Sequence, residues 1–385
     1  MNILLIRLRM IGDVVFTTPA IRALRRRYPD ARISYLVEDA AAPVVQGNPH
    51  LDDVLVIPLT TGFRRIGDDW RIGADLRRRR FDLVIDFHGG PRGSWLSWLT
   101  RAPQRIGYTV PGRSWMYTQA VARPRQLRPR HSVENQWDLL AALGIDAPDR
   151  TLDSVEMPER ADVRARVDAR LQSNGISPAA PVVVMHVSAG NPFRRWPVDR
   201  FATVAARLVQ DNPSRFVVLT SGPSEAGAAD EAAREAQQQL PAGLASRIAR
   251  CGEFDLPELR ALVGRAALYI GGDSGPLHIA GTTQAPVVGL FGPTLPVRSA
   301  PWRDPAIPSE AVERTDLECR PCDQRQCVHS DFRCLTSLTA DSVVAAAERA
   351  MAHSASPNDR SNRGGGTISA RDPEAPRMAH FGTRS

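Results

Sequence analysis

Apolar residues are gathered in short runs along this chain, with helical or polar stretches between them. Asn2–Leu8, Ile33–Val37, Val54–Ile57 and Leu83–Phe87 read as buried strands in the first part. Val182–His186, Phe216–Thr220, Leu268–Ile270 and Val287–Phe291 repeat the pattern in the second. Helices are expected between them. The first ends near Arg27, starting at Thr18-Pro19 or kinked there from a start at Gly12. His131–Ile145 is amphipathic and closed by Gly144, Glu159–Asn174 is a charged helix, and Asp255–Val263 and Thr339–Met351 follow. This alternation predicts an α/β chain with parallel, doubly wound sheets. A polar stretch at Asp146–Pro158 and a linker at Ser177–Pro181 place the domain boundary between about 150 and 178, dividing the chain as 1–175 and 176–352. Beyond His353 the chain is polar with Gly-Gly-Gly and scattered proline, so 353–385 is expected to be a disordered tail.

The polar residues that carry chemistry fall where apolar runs end. Arg9-Met10-Ile11-Gly12-Asp13 turns out of the first strand, leaving Asp13 just past its carboxyl end. Asp86-Phe87-His88-Gly89-Gly90-Pro91-Arg92 closes the Leu83–Phe87 strand with a Gly-rich loop. Trp95, Trp98 and Trp115 lie near Arg101, Arg105 and Arg113 in the sequence; such a set grips a sugar acid or phosphosugar, or packs helices. In the second part, Ser188 lies in the small-residue loop His186–Asn191, which lets backbone approach a phosphate. Arg194 and Arg195 follow, and Glu225 is placed to hold ribose hydroxyls. Asp273-Ser274-Gly275-Pro276 has the chemistry of a helix start, an anion site by its unpaired N–H groups, with His278 one turn on.

Charge sharpens this picture. Every one of the 49 basic residues is Arg. Residues 1–130 hold 22 of them against 11 Asp and Glu, a net +11; residues 131–385 hold 27 against 31, a net −4. A basic domain suits nucleic acid, anionic lipid or a phosphorylated substrate. No zinc-finger spacing, RNA-binding signature or aromatic-interleaved basic run is present, which argues against nucleic acid. The Arg77–Arg80 run reads as a solvated or membrane-facing surface. No stretch of eighteen apolar residues exists, and the N-terminus reads as a strand, not a signal peptide, so the cytoplasm is expected. Cys319-x2-Cys322-x4-Cys327-x6-Cys334 suits a structural zinc or, less well, an iron–sulfur cluster, with reduced thiols without metal as the other reading; Cys251 reads as core.

Leu268–Gly292 resembles the donor-binding signature D-[ST]-G-x-x-H-x-A of glycosyltransferase family nine, the lipopolysaccharide heptosyltransferases. Gly12-Asp13, Arg194-x-Trp196-Pro197 and Gly222-x-x-Glu225 stand in the family's order, and the resemblance covers about residues 1–350. It implies a GT-B fold: two Rossmann-like domains facing across a cleft, acceptor on the first and nucleotide sugar on the second, with the last helix packed back on the first domain. The implied reaction is inverting transfer of heptose from ADP-heptose to the inner core of lipopolysaccharide, Kdo-lipid A or a core heptose. No catalytic cofactor is required. Asp13 is the expected base. Ser188, Arg194 (where the family often has Lys), Glu225, Asp273, Ser274, Gly275 and His278 form the expected donor site. Gly12, His88, Arg92 and Arg113 form the expected acceptor site. The partners are the nucleotide sugar and a phosphorylated lipid A-core acceptor at the cytoplasmic face of the inner membrane, with no nucleic acid. Rival readings are another nucleotide-sugar transferase or epimerase on the same fold, or a non-catalytic nucleotide-sugar or lipid-binding protein.

Overall fold

The computed structural model describes residues 1–59, 62, 64–122, 130–322, 324–355 and 376–381. It divides into two compact units, Met1–Pro158 with Thr367–Ser385, and Glu159–Gly366.

The first unit runs β1 (Asn2–Ile6), α1 (Ile11–Val15), α2 (Thr18–Arg27), β2 (Arg32–Glu38), β3 (Asp53–Ile57), α3 (Arg64–Arg78), β4 (Leu83–Asp86), α4 (Pro91–Leu99), β5 (Gln104–Tyr108), β6 (Gln119–Val121) and α5 (Ser132–Ala141). The second runs α6 (Ala161–Ser173), β7 (Val182–His186), α7 (Val198–Asp211), β8 (Phe216–Thr220), α8 (Ala226–Gln238), β9 (Ile248–Ala249), α9 (Leu256–Gly264), β10 (Leu268–Gly272), α10 (Gly275–Ala280), β11 (Val287–Phe291), α11 (Pro296–Ser299), β12 (Ser309–Glu313), α12 (Arg333–Thr336) and α13 (Ala340–Ala355). A last strand, β13 (Arg377–His380), returns to the first unit.

All strand pairs in both sheets are parallel. The first sheet has the order β13-β3-β2-β1-β4-β5-β6 and the second β12-β11-β10-β7-β8-β9. Both contain the doubly wound order 3-2-1-4-5-6, which reverses direction between its first and fourth strands. Those reversals fall between β1 and β4 in one unit and between β7 and β10 in the other. At such a point adjacent loops leave toward opposite faces of the sheet, opening a crevice at the carboxyl ends of the strands.

Two expectations are corrected and one is narrowed. The boundary lies at Pro158/Glu159, early in the expected interval of about 150–178 and not at 175/176. The cause is α6, whose Val163, Val167 and Leu171 are buried in a core with Val182, Val184 and Leu262. The last helix, α13, buries Val343, Ala346, Ala347 and Ala350 in the second unit's own core. In the expected tail, residues 377–380 form a strand in register with Asp53–Val56; residues 356–375 and 382–385 lie outside the described set. The alternative at Thr18-Pro19 resolves as a helix start, with Pro19 in the first turn of α2, where its missing N–H costs nothing.

Candidate functional site

In the first unit, Ile6 at the end of β1 pairs with Asp86 at the end of β4, so the loops beyond them emerge side by side at the reversal. Arg7 follows Ile6. Its guanidinium donates to the Phe87 carbonyl (2.8 Å) and forms an ion pair with Asp13. Asp13 lies in the first turn of α1, where a carboxylate suits the helix dipole. The N-cap is Met10, with no side-chain cap, so Asp13 does not serve as one. Its side chain remains 37% exposed.

Asp86 is fully buried. It accepts N–H bonds from His88 and Gly89 (2.8 and 3.1 Å) and the Tyr117 hydroxyl (2.6 Å). Burial raises its carboxyl above the ordinary range, and these donors with the nearby Arg7 charge pull it back. Asp86 therefore shapes the 87–90 loop that presents His88. Arg113 lies close enough to lower the Tyr117 phenol electrostatically, against burial and Asp86, which together push that phenol up. Arg92 corrects an expectation. It is only 7% exposed, and its guanidinium bonds Asp69, Glu38 and the Pro58 carbonyl. A cation held in a buried ion triad is structural, because pulling it out strands two carboxylates.

In the second unit the same geometry recurs with different chemistry. Gly271 in β10 pairs with His186 at the end of β7, and His186 pairs with Thr220 at the end of β8. His186 Nδ1 lies 3.0 Å from Thr220 Oγ1, and its Nε2 lies 3.0 Å from Ser188 Oγ. Ser188 Oγ also accepts the Gly222 N–H (3.1 Å), tying the β7 loop to the β8 loop. Burial, with the Arg250 charge, lowers the His186 imidazole to about 4, so it is a neutral hydrogen-bond relay. Beyond Gly222, Glu225 pairs with Arg195 (2.7 Å), and Arg195 donates to the Ala189 carbonyl (2.9 Å).

Arg194 is the most heavily oriented cation of the site. Nε donates to Gln324 Oε1 (2.7 Å), and Nη1 donates to the Asp273 carbonyl (3.0 Å) and lies 3.3 Å from its carboxylate. Trp196 fixes the loop, its ring buried against Phe201 and its Nε1 donating to the Leu338 carbonyl (3.2 Å). Gly272 lets the loop come close, since a Cβ there would lie 3.1 Å from the Arg194 carbonyl oxygen. Asp273, expected at the ligand, is 2% exposed. Its carboxylate accepts the Thr294 hydroxyl (2.6 Å) and lies 3.6 Å from His278 Nε2. The buried pair Asp273–His278 thus stands behind Arg194, supporting it. Ser274 caps α10 by backbone only; its hydroxyl donates to the Gly272 carbonyl (3.2 Å). Ser274 and Gly275 stay partly exposed.

The cysteines are free thiols. Cys319, Cys322, Cys327 and Cys334 line one small cavity. Among the described residues, however, no three His, Cys, Asp or Glu side chains are gathered so as to hold a metal ion. Backbone N–H groups, that of Phe332 first and those of His329, Ser330 and Asp331 with it, lower the Cys327 thiol from its ordinary value. Burial raises the Cys334 thiol.

Three residues of these sites carried no sequence signal that singled them out. Arg7 is a charge at the end of a buried run, which must find a partner, and that was the available clue. Thr294 and Gln324 reach the site from loops distant in sequence.

The model of glycosyltransferase family 9 (heptosyltransferase) matches residues 69–332. The chain is 29% identical over 360 residues to lipopolysaccharide heptosyltransferase 3 of Escherichia coli (strain K12), covering 92% of this chain and 99% of that protein. Among solved structures, it is similar to a family 9 glycosyl transferase from Veillonella parvula (TM-score 0.77, 23% identity, 91% of this chain and 97% of that one). It is also similar to E. coli ADP-heptose lps heptosyltransferase II (TM-score 0.72, 19% identity, 92% and 100%). These likenesses show the GT-B fold.

Proposed function

The chain belongs to glycosyltransferase family 9, the heptosyltransferases, and on that premise we propose that it moves heptose from ADP-heptose to the inner core of lipopolysaccharide, with inversion. The acceptor is Kdo-lipid A or a core heptose, reached from the cytoplasmic face of the inner membrane. The relatives' names support the sugar and the acceptor. The observation that carries the reading is the convergence, at the reversal of the second sheet, of Arg194 and the partly exposed Ser274–Gly275 backbone, with Ser188 in the adjoining β7 loop.

In this reading Asp13 accepts the proton of the acceptor hydroxyl as its oxygen attacks the anomeric carbon. The bond from that carbon to the diphosphate breaks, and ADP leaves with the electron pair. Charge developing on the diphosphate is met by Arg194 and the N–H groups at Ser274–Gly275. Asp273, Thr294, His278 and Gln324 keep Arg194 in place, and Arg195 with Glu225 shapes the loop beside the ribose. Gly12 leaves room for the acceptor, with His88 and Arg113 contacting it. A single displacement needs a base for one reactant and a cationic cradle for the other, and the two units carry one each.

Product analysis tests the donor. Purified protein is given a core acceptor with ADP-heptose, a UDP-sugar or a GDP-sugar. Transfer from ADP-heptose alone is expected. Transfer from a UDP- or GDP-sugar in preference would move the chain to another donor, and donor binding without transfer would favour a non-catalytic role.

A further inference from the structure

We propose that the α3–α4 face of the first unit is a docking surface for an anionic phospholipid bilayer. On α3, Ile66, Trp70, Gly73 and Arg77 fall on one stripe by helical spacing. Gly73 brings α4 close: a Cβ there would sit 2.3 Å from Leu99 Cδ1. This close packing starts a chain of rings. Trp70 meets Trp95 edge-on (5.4 Å), Trp95 stacks on Trp98 (5.1 Å), and Trp98 meets Trp115 edge-on (5.7 Å). The two ends, Trp70 and Trp115, are 52% and 60% exposed, and Ile66 is exposed as well. Beside the rings lies an open groove of about 460 Å³, with Arg77, Arg78 and Arg101 on its walls. The Arg101 guanidinium stands 4.0 Å over the Trp98 ring.

The charge of this face is one-sided. Residues 64–80 hold seven arginines against three aspartates. Asp68 and Asp69 are buried, and Asp75 pairs with Arg78 and Arg79. Among the described residues Arg77, Arg80 and Arg101 have no carboxylate partner. A deep pocket with buried polar anchors would point to a small ligand; here the groove is open and its cations are exposed. Exposed indoles beside unpaired guanidiniums fit a bilayer surface, where the rings enter the headgroup boundary and the cations remain with anionic headgroups. No described helix is long and apolar enough to cross a membrane, so the contact is interfacial. The inference deepens the lipid-linked acceptor proposed above.

The test is sedimentation of the full chain with acceptor-free vesicles of phosphatidylcholine alone or with added phosphatidylglycerol. The wild type is expected to bind the anionic vesicles and to release as salt rises. Each arginine near the surface is worth about fivefold. The variant Arg77→Gln/Arg78→Gln/Arg101→Gln should therefore lower the partition coefficient about a hundredfold, with the Trp70→Ala/Trp115→Ala variant also weakened. Absence of wild-type binding to anionic vesicles, or unchanged binding by the arginine variant, overturns the proposal. Should the tryptophan variant not fold, the arginine variant decides alone, since its three side chains lie at the surface. Turnover on a water-soluble acceptor fragment is read in parallel. Vesicle binding lost with turnover retained supports docking, while a wild type that binds vesicles but transfers no heptose refutes the heptose reading and leaves docking standing.

Discussion

Arg194 is held on one side by Gln324 and on the other by Asp273, so its guanidinium is oriented before a ligand arrives. A fork fixed in advance loses little side-chain freedom on binding a diphosphate, and more of each hydrogen bond survives as affinity. Arg194→Ala should weaken ADP-heptose binding by about 1.5–3 kcal/mol, the range for a hydrogen bond to a charged group. Titration calorimetry reads this directly, and an unchanged affinity would remove Arg194 from the donor site. Arg194 was legible because Arg-x-Trp-Pro is a local pattern. The inward turn of Asp273 was not. A carboxylate before a helix start reads as a cap or a ligand, and only Thr294, brought in from 21 positions later, shows which way it bonds.

At the scale of elements, the strand ends β7 and β8 are joined by Thr220, His186, Ser188 and the Gly222 N–H in one buried chain of hydrogen bonds. The imidazole at its centre is lowered from 6.5 to about 4 by burial. Between those values the unfolded chain takes up a proton that the folded chain refuses. Stability is therefore present above the unfolded value and is lost as pH falls from about 6.5 to 4, by about 3 kcal/mol. Denaturant melts at pH 7 and pH 4.5 should show this loss in the wild type and not in His186→Gln; parallel profiles would contradict the neutral relay. The central strands were legible as apolar runs because neighbours cover them. The outer strands were not: Ser309–Glu313 and Arg377–His380 lie at sheet edges, are largely polar, and pair through backbone groups that composition does not reveal.

For the whole molecule, two units of the same strand order carry different strand-end chemistry. The first presents a carboxylate, Asp13, and an imidazole, His88, within a basic unit; the second presents an oriented cation and the partly exposed Ser274–Gly275 backbone. The α/β alternation of the two halves was readable from the runs, whereas the place of the boundary within its interval was not, because α6 is charged on its outer face and shows its allegiance only through three buried apolar residues. The central claim is that this chain transfers a sugar with Asp13 as the base. It is tested most directly by steady-state turnover of Asp13→Asn with ADP-heptose and a core acceptor. Asn keeps the shape and can still accept from Arg7, so the variant should fold and bind donor nearly as the wild type does. It cannot take the proton, so kcat should fall by about 10²–10⁴. Turnover near that of the wild type would contradict the account and pass the role to His88.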